Sequence, residues 1–125
     1  KDQLKMMIQS ISNKDTSIER IAFSTNEGLI FVLTKEIVYC KAESNYTSIV
    51  LLNGKKTLVS KTLKDIDELL TGKDFFRAHK SYLININHIS KFVRGEGGYV
   101  VMADNEEITI ARDRKDDFMK LFSRI

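Results

Sequence analysis

Along most of this chain apolar residues recur at every second position, in short runs broken by Gly, Asn and charged residues. That spacing predicts half-buried strands. Arg20–Ser24 alternates through Ile21 and Phe23, and Asn26-Glu27-Gly28 turns the chain into Leu29–Leu33, predicting a hairpin. Glu36–Ala42 predicts a strand with Val38, Cys40 and Ala42 on one face, and Glu43-Ser44-Asn45 breaks the pattern. Tyr46–Leu52 and Lys56–Ser60 flank Asn53-Gly54, a type I′ hairpin signal because that turn needs φ > 0 at both central residues. Ile89–Val93, Tyr99–Ala103 and Glu107–Ala111 predict three further strands, separated by Gly95-Glu96-Gly97-Gly98 and by Asp104-Asn105. Ser81–Ile84 is apolar but short, and its spacing does not choose between helix and strand.

Three segments change to helical spacing. Lys1–Asn13 places Leu4, Ile8 and Ile11 on one stripe, with Met7 beside them. Thr62–Thr71 places Leu63, Ile66, Leu69 and Leu70 on another, with Thr62 and Asp65 as a capping pair and Gly72 as the stop. The third begins near Lys115 and carries Phe118, Leu121, Phe122 and Ile125. Roughly eight strands with few helices predict a mostly β (α+β) fold. They exclude a helix-turn-helix domain, so any contact with nucleic acid must come from loops and strand ends. A chain of 125 residues, 42% hydrophobic and 30% charged, fits one folded domain. No apolar run approaches a membrane span. A lone cysteine, Cys40, excludes an internal disulfide and fits a reducing compartment, so a cytoplasmic location is expected.

Charge changes the picture. The net charge is only +3, yet the Phe75–Gly95 window holds Arg77, Lys80, Lys91 and Arg94 with no acid, and Ser44–Lys64 holds Lys55, Lys56, Lys61 and Lys64 with none. At the chain's average density each window would hold about three acids. The remainder keeps 12 of the 20 cations against all 17 acids. Two cationic windows on an acidic body point to a phosphate backbone as partner. Both also carry short hydrogen-bonding residues: Arg77-Ala78-His79-Lys80-Ser81 and Asn45-Tyr46-Thr47, with Arg112-Asp113-Arg114-Lys115 repeating the mixture. Groove readers need that combination, because cations alone hold phosphates without distinguishing bases.

Other chemistries fit less well. Cys40 lies mid-strand between apolar neighbours, where a thiol packs as core. His79 and His88 stand nine residues apart with no second cysteine, so no metal site is expected. Gly95–Gly98 lacks a phosphate-loop pattern and opens a strand, which makes it a hairpin turn. The acids at Asp65, Asp67 and Glu68 read as a solvated helix face, and those at Asp104, Glu106 and Glu107 as a solvated turn. No nucleophile, base and orienting group come together, so neither catalysis nor a cofactor is expected.

Phe76-Arg77-Ala78-His79-Lys80-Ser81-Tyr82-Leu83-Ile84-Asn85, followed by Ile89, resembles the F-x-R-x-H-R-S-[FY]-[LIV]-[LIV]-N…I signature of LytTR DNA-binding domains. Ile37–Ala42 followed by Asn45-Tyr46 resembles that family's strand and its A-x-x-N-Y element. Ile110-Ala111-Arg112 with Arg114 is similar to its closing [IV]-S-R-x-R. The resemblance runs from about Ile18 to Ile125 and implies an elongated antiparallel β domain of three small sheets in a bacterial transcription regulator. It implies a receiver domain upstream, a connecting segment over 1–17, homodimers on direct repeats, and loops entering successive major grooves of double-stranded DNA. Carried over by position, the base-reading candidates are Asn45, Tyr46, Lys80, Arg112 and Arg114. The phosphate candidates are His79, Ser81, Lys55, Lys56, Lys61, Lys91 and Arg94. Lys80 stands where arginine is frequent and lacks the bidentate fork, and Ala111 replaces a frequent serine. The rival readings are a sensory or protein-interaction module of the same fold without DNA binding, and a single-strand binder using Tyr46, Tyr82 and Tyr99 as a stacking platform.

Overall fold

The computed structural model describes residues 19–95 and 97–122. The chain forms β1 (Arg20–Thr25), β2 (Gly28–Leu33), β3 (Ile37–Glu43), β4 (Tyr46–Leu51), β5 (Lys56–Val59), α1 (Leu63–Leu69), β6 (Phe75–His79), β7 (Tyr82–Asn85), β8 (Ile89–Val93), β9 (Tyr99–Met102), β10 (Glu107–Thr109) and α2 (Lys115–Lys120). Every strand pairing is antiparallel. The central sheet has the order β5-β4-β3-β7-β6, β10-β9-β8 form a second sheet, and β1-β2 a third. The mostly β fold in three small sheets therefore agrees with the expectation. The predicted helix over Lys1–Asn13 lies outside the described residues.

The central sheet is covered on both faces. One face packs Val38, Tyr39, Val50, Phe76, Ala78 and Ile84 against Val100, Met102, Ile108 and Ile110 of the second sheet and Phe118 of α2. The other packs Ile37, Cys40, Ile49, Val59 and Leu83 against Phe23 and Val32 of the hairpin and Leu63, Ile66 and Leu70 of the α1 region. Simple alternation puts neighbours on opposite faces, as with Ile49 and Val50 or Leu83 and Ile84. On β3 it fails. The β3–β4 register shifts between Ile37 and Tyr39, and that bulge turns both Val38 and Tyr39 toward the second sheet. The predicted shared face of Val38, Cys40 and Ala42 is thereby corrected, since only Cys40 and Ala42 face the hairpin.

Other differences are equally local. Phe75–His79, which holds most of the basic Arg77–Ser81 motif, is a strand, and Ser81–Ile84 resolves into β7. Leu69 is exposed, because α1 is short and only Leu63 and Ile66 of its span are buried, with Leu70 behind them. The Asn53-Gly54 hairpin is where it was predicted, but its turn is another type. Gly54 N–H donates to Leu51 O, Leu51 N–H to Lys55 O, and Gly54 alone has positive φ, at 88°. That is a three-residue loop with glycine in the left-handed position, not type I′. Thr62 does cap α1, its Oγ1 accepting from Asp65 N–H at 3.3 Å.

Candidate nucleic-acid interface

Three chain segments distant in sequence meet at one end of the central sheet. The β3–β4 turn is Ser44-Asn45, closed by Glu43 opposite Tyr46. The β6–β7 turn is Lys80-Ser81, closed by His79 opposite Tyr82. The two turns are neighbours because Lys41 pairs with Tyr82 and Ala42 N–H donates to Ser81 O at 2.9 Å. The third segment arrives from β10. A bulge in β6 between Arg77 and His79 takes Ala78 out of the ladder, and Ala111 N–H donates to Ala78 O at 2.7 Å. The turn Arg112–Arg114 is thus held beside Lys80. A surface concavity of about 460 Å³ lies between them, lined by Arg77, His79, Lys80, Ala111, Asp113 and Arg114.

Arg77 holds this corner together. Its Nε donates to His79 O at 3.1 Å and a terminal nitrogen to Lys80 O at 2.8 Å. The other terminal nitrogen lies 3.5 Å from Asp67 on α1. A planar guanidinium can serve two adjacent carbonyls and a carboxylate at once. Asp67 is therefore not the plain solvated acid that its sequence neighbourhood suggested. The Arg77 carbonyl in turn accepts from Arg114 Nε at 3.0 Å. Arg114 also lies over the Phe76 ring, 4.7 Å from its centroid, and 3.5 Å from Asp117. Its guanidinium is engaged within the fold, whereas Arg112 and Lys80 are exposed and form no ion pair among the described residues.

The remaining candidates separate by position. His79 is half-buried, and its Nδ1 accepts from Ser81 N–H at 3.1 Å, which leaves Nε2 to carry the ring proton. Asn45 and Tyr46 are exposed at the neighbouring turn. Lys61 reaches the same end, because buried Thr47 donates from Oγ1 to Lys61 O at 2.7 Å. Arg94 follows β8 where Val93 pairs with Tyr99 and Tyr99 with Thr109, the end from which β10 leaves toward Ala111. Lys91 is exposed mid-strand opposite Val101. Lys55 and Lys56 sit at the β4–β5 hairpin, the far end of the sheet, so the fold does not bring them to this corner. Two signature residues are internal: Asn85 is buried, donating to Ile37 O at 2.9 Å and accepting from Asn87 N–H, and Cys40 is fully buried. Arg77 belongs to this corner although it is not among the candidate residues, and the legible signal for it is its place between buried Phe76 and Ala78, on the same strand face as His79.

The chain is similar to known proteins over most of its length. It is 26% identical over 117 residues to the sensory transduction protein LytT of Bacillus subtilis, covering 92% of this chain and 48% of the relative. It is 32% identical over 79 residues to the transcriptional regulatory protein NatR of Bacillus subtilis, covering 62% and 34% respectively. The chain therefore spans half or less of the length of these relatives. The LytTr DNA-binding domain of a putative methyl-accepting/DNA response regulator from Bacillus cereus shares the fold, with a TM-score of 0.70 at 22% identity, over 82% of this chain and 94% of that one. The family model for the LytTr DNA-binding domain matches residues 27–123, a span that includes both turns, Arg77 and the Arg112–Arg114 segment, and on that match the chain belongs to the LytTR family of DNA-binding domains.

Proposed function

We propose that this corner reads double-stranded DNA for a transcription regulator, without catalysis. The Asn45-Tyr46 turn and the Lys80 turn enter one major groove, and Arg112 the next. The observation that carries this reading is the convergence of two exposed polar turns and the exposed Arg112 on one end of the central sheet. A strand-end platform lets short side chains reach base edges while backbone atoms and nearby cations meet phosphates. Arg112, Lys80, Asn45 and Tyr46 are the base readers. Arg114 orients the segment through its bonds within the fold. Lys61 and Arg94 neutralise phosphates, with His79 Nε2–H and Ser81 as polar backbone contacts.

In the whole protein, a receiver domain upstream of residues 1–17 brings two copies together on direct repeats in the cytoplasm, raising affinity through avidity. The test begins with sites selected from a random duplex library, followed by gel-shift titrations. Arg112→Ala should lose about 1–3 kcal/mol on the selected duplex and relax preference at one base position. Equal losses on selected and scrambled duplexes would reduce Arg112 to a backbone contact. Absence of any duplex binding would favour a protein-interaction module.

A further inference from the structure

We infer that the exposed outer face of the β1–β2 hairpin is a docking surface for the chain's own residues 4–11. Five consecutive residues of β2, Leu29-Ile30-Phe31-Val32-Leu33, are apolar. Successive side chains of a strand point to opposite faces, so this run presents apolar groups on both faces of the hairpin. Its inner face is covered, with Val32 buried and Ile30 packed against the core. Its outer face is not. Leu29 and Phe31 are 60% and 61% exposed, the highest exposures among the large apolar side chains of the described residues. Their cross-strand partners are Ser24 and Ala22, too small to shield them, and the Arg20 guanidinium lies 5.8 Å from the Phe31 ring centroid.

The occupant is named by covalent continuity and by pattern. By their spacing alone, Leu4, Ile8 and Ile11, with Met7 beside them, would make one apolar stripe if the segment were helical, and such a stripe calls for an apolar partner face. The five residues Lys14–Ile18 can span roughly 17 Å when extended. Phe31 lies opposite Ala22, only two residues into β1, so that connection suffices for the segment to fold back. The dimensions agree. A helical stripe from Leu4 to Ile11 is about 10 Å long, and Leu29 to Leu33 along β2 is about 13 Å. The docked stripe would set the direction in which residues 1–17 leave the domain.

Hydrogen exchange on the 125-residue chain tests this directly. A free helix of about 13 residues is marginal in water, so slow exchange over residues 4–11 requires packing. The expected result is protection of those amides at least about tenfold above the unfolded rate, unchanged on dilution. In Phe31→Ser that protection should vanish, while amides around Ile49 and Leu83 keep theirs, because Phe31 contributes to neither core. Leu4→Ser/Ile8→Ser should give the same loss. Unprotected residues 4–11 in the unaltered chain would overturn the inference, as would protection that survives Phe31→Ser. Protection that disappears on dilution would also overturn it, assigning the face to a second copy.

Discussion

Arg77 spends its side chain on the backbone of the turn that presents Lys80. Arg77→Ala should lower stability by about 1–2 kcal/mol, the scale of charge-assisted hydrogen bonds in a partly exposed setting. It should also narrow the affinity gap between selected and scrambled duplexes, since the turn loses its brace. Arg77→Lys should not restore the gap, because an ammonium lacks the fork. A loss of stability with an unchanged gap would make the role purely structural. Burial pushes the Cys40 thiol up to about 12 from its ordinary 9.0. Burial first, and then the charges of Asp104 and Glu106, push the Tyr39 phenol up as well. A group held neutral in this way contributes stability that is complete below its unfolded value and is lost as pH rises toward the folded one. Denaturant midpoints should therefore fall between pH 9 and 12, with Cys40 contributing about 1.4 kcal/mol per pH unit. Cys40→Ala should be less stable at pH 8 and show a shallower decline. The core role of Cys40 was legible from its apolar neighbours. The partnership of Asp67 with Arg77 was not, because ten residues separate them and only the fold makes them meet.

At the scale of the element, turns carry the candidate function. Ser44 sits at φ 59°, in the left-handed region, at the first position of the β3–β4 turn, while Asn45 does not. A non-glycine residue there stores strain of about 1–2 kcal/mol. Ser44→Gly should raise the unfolding free energy by up to about 1 kcal/mol, less than the full strain because glycine also loosens the unfolded chain. An unchanged or lowered thermal midpoint would show that the Ser44 side chain supports the turn in another way. Strands and turns were visible as places where alternation starts and stops. The turn types were not. Asn53-Gly54 can close a two-residue or a three-residue loop, and the choice depends on the β4–β5 register, which the Lys56–Val50 pair settles. The β3 bulge is equally silent in sequence, since Val38 and Tyr39 fit either face by composition.

At the scale of the whole molecule, the question is which cations share a surface. Lys61 is tied to the Thr47 end of the sheet, and Lys55 and Lys56 to the opposite end. The two lysine groups are close in sequence, yet they should behave differently. Lys61→Ala should weaken binding similarly on selected and scrambled duplexes and reduce the slope of log affinity against log salt by about 0.9. Lys55→Ala/Lys56→Ala should leave the slope unchanged. A drop of about 1.8 in the double variant would instead place the DNA along the hairpin and away from the corner.

Alternation, composition and short-range spacing are local properties, so the strand-rich class, both cationic windows and the linked motifs of the family were readable along the chain. Which cations meet was settled by how the strands pack. That packing made Arg77 a brace, engaged Arg114 in the fold and left Arg112 exposed, and it sent Lys55 and Lys56 to the far end. Those outcomes depend on strand order, on a bulge at Ala78 and on hydrogen bonds such as Ala111 to Ala78. Several of these contacts, Ala111 with Ala78, Arg114 with Arg77 and Lys41 with Tyr82 among them, join residues more than thirty positions apart, and chain distance carries no record of them.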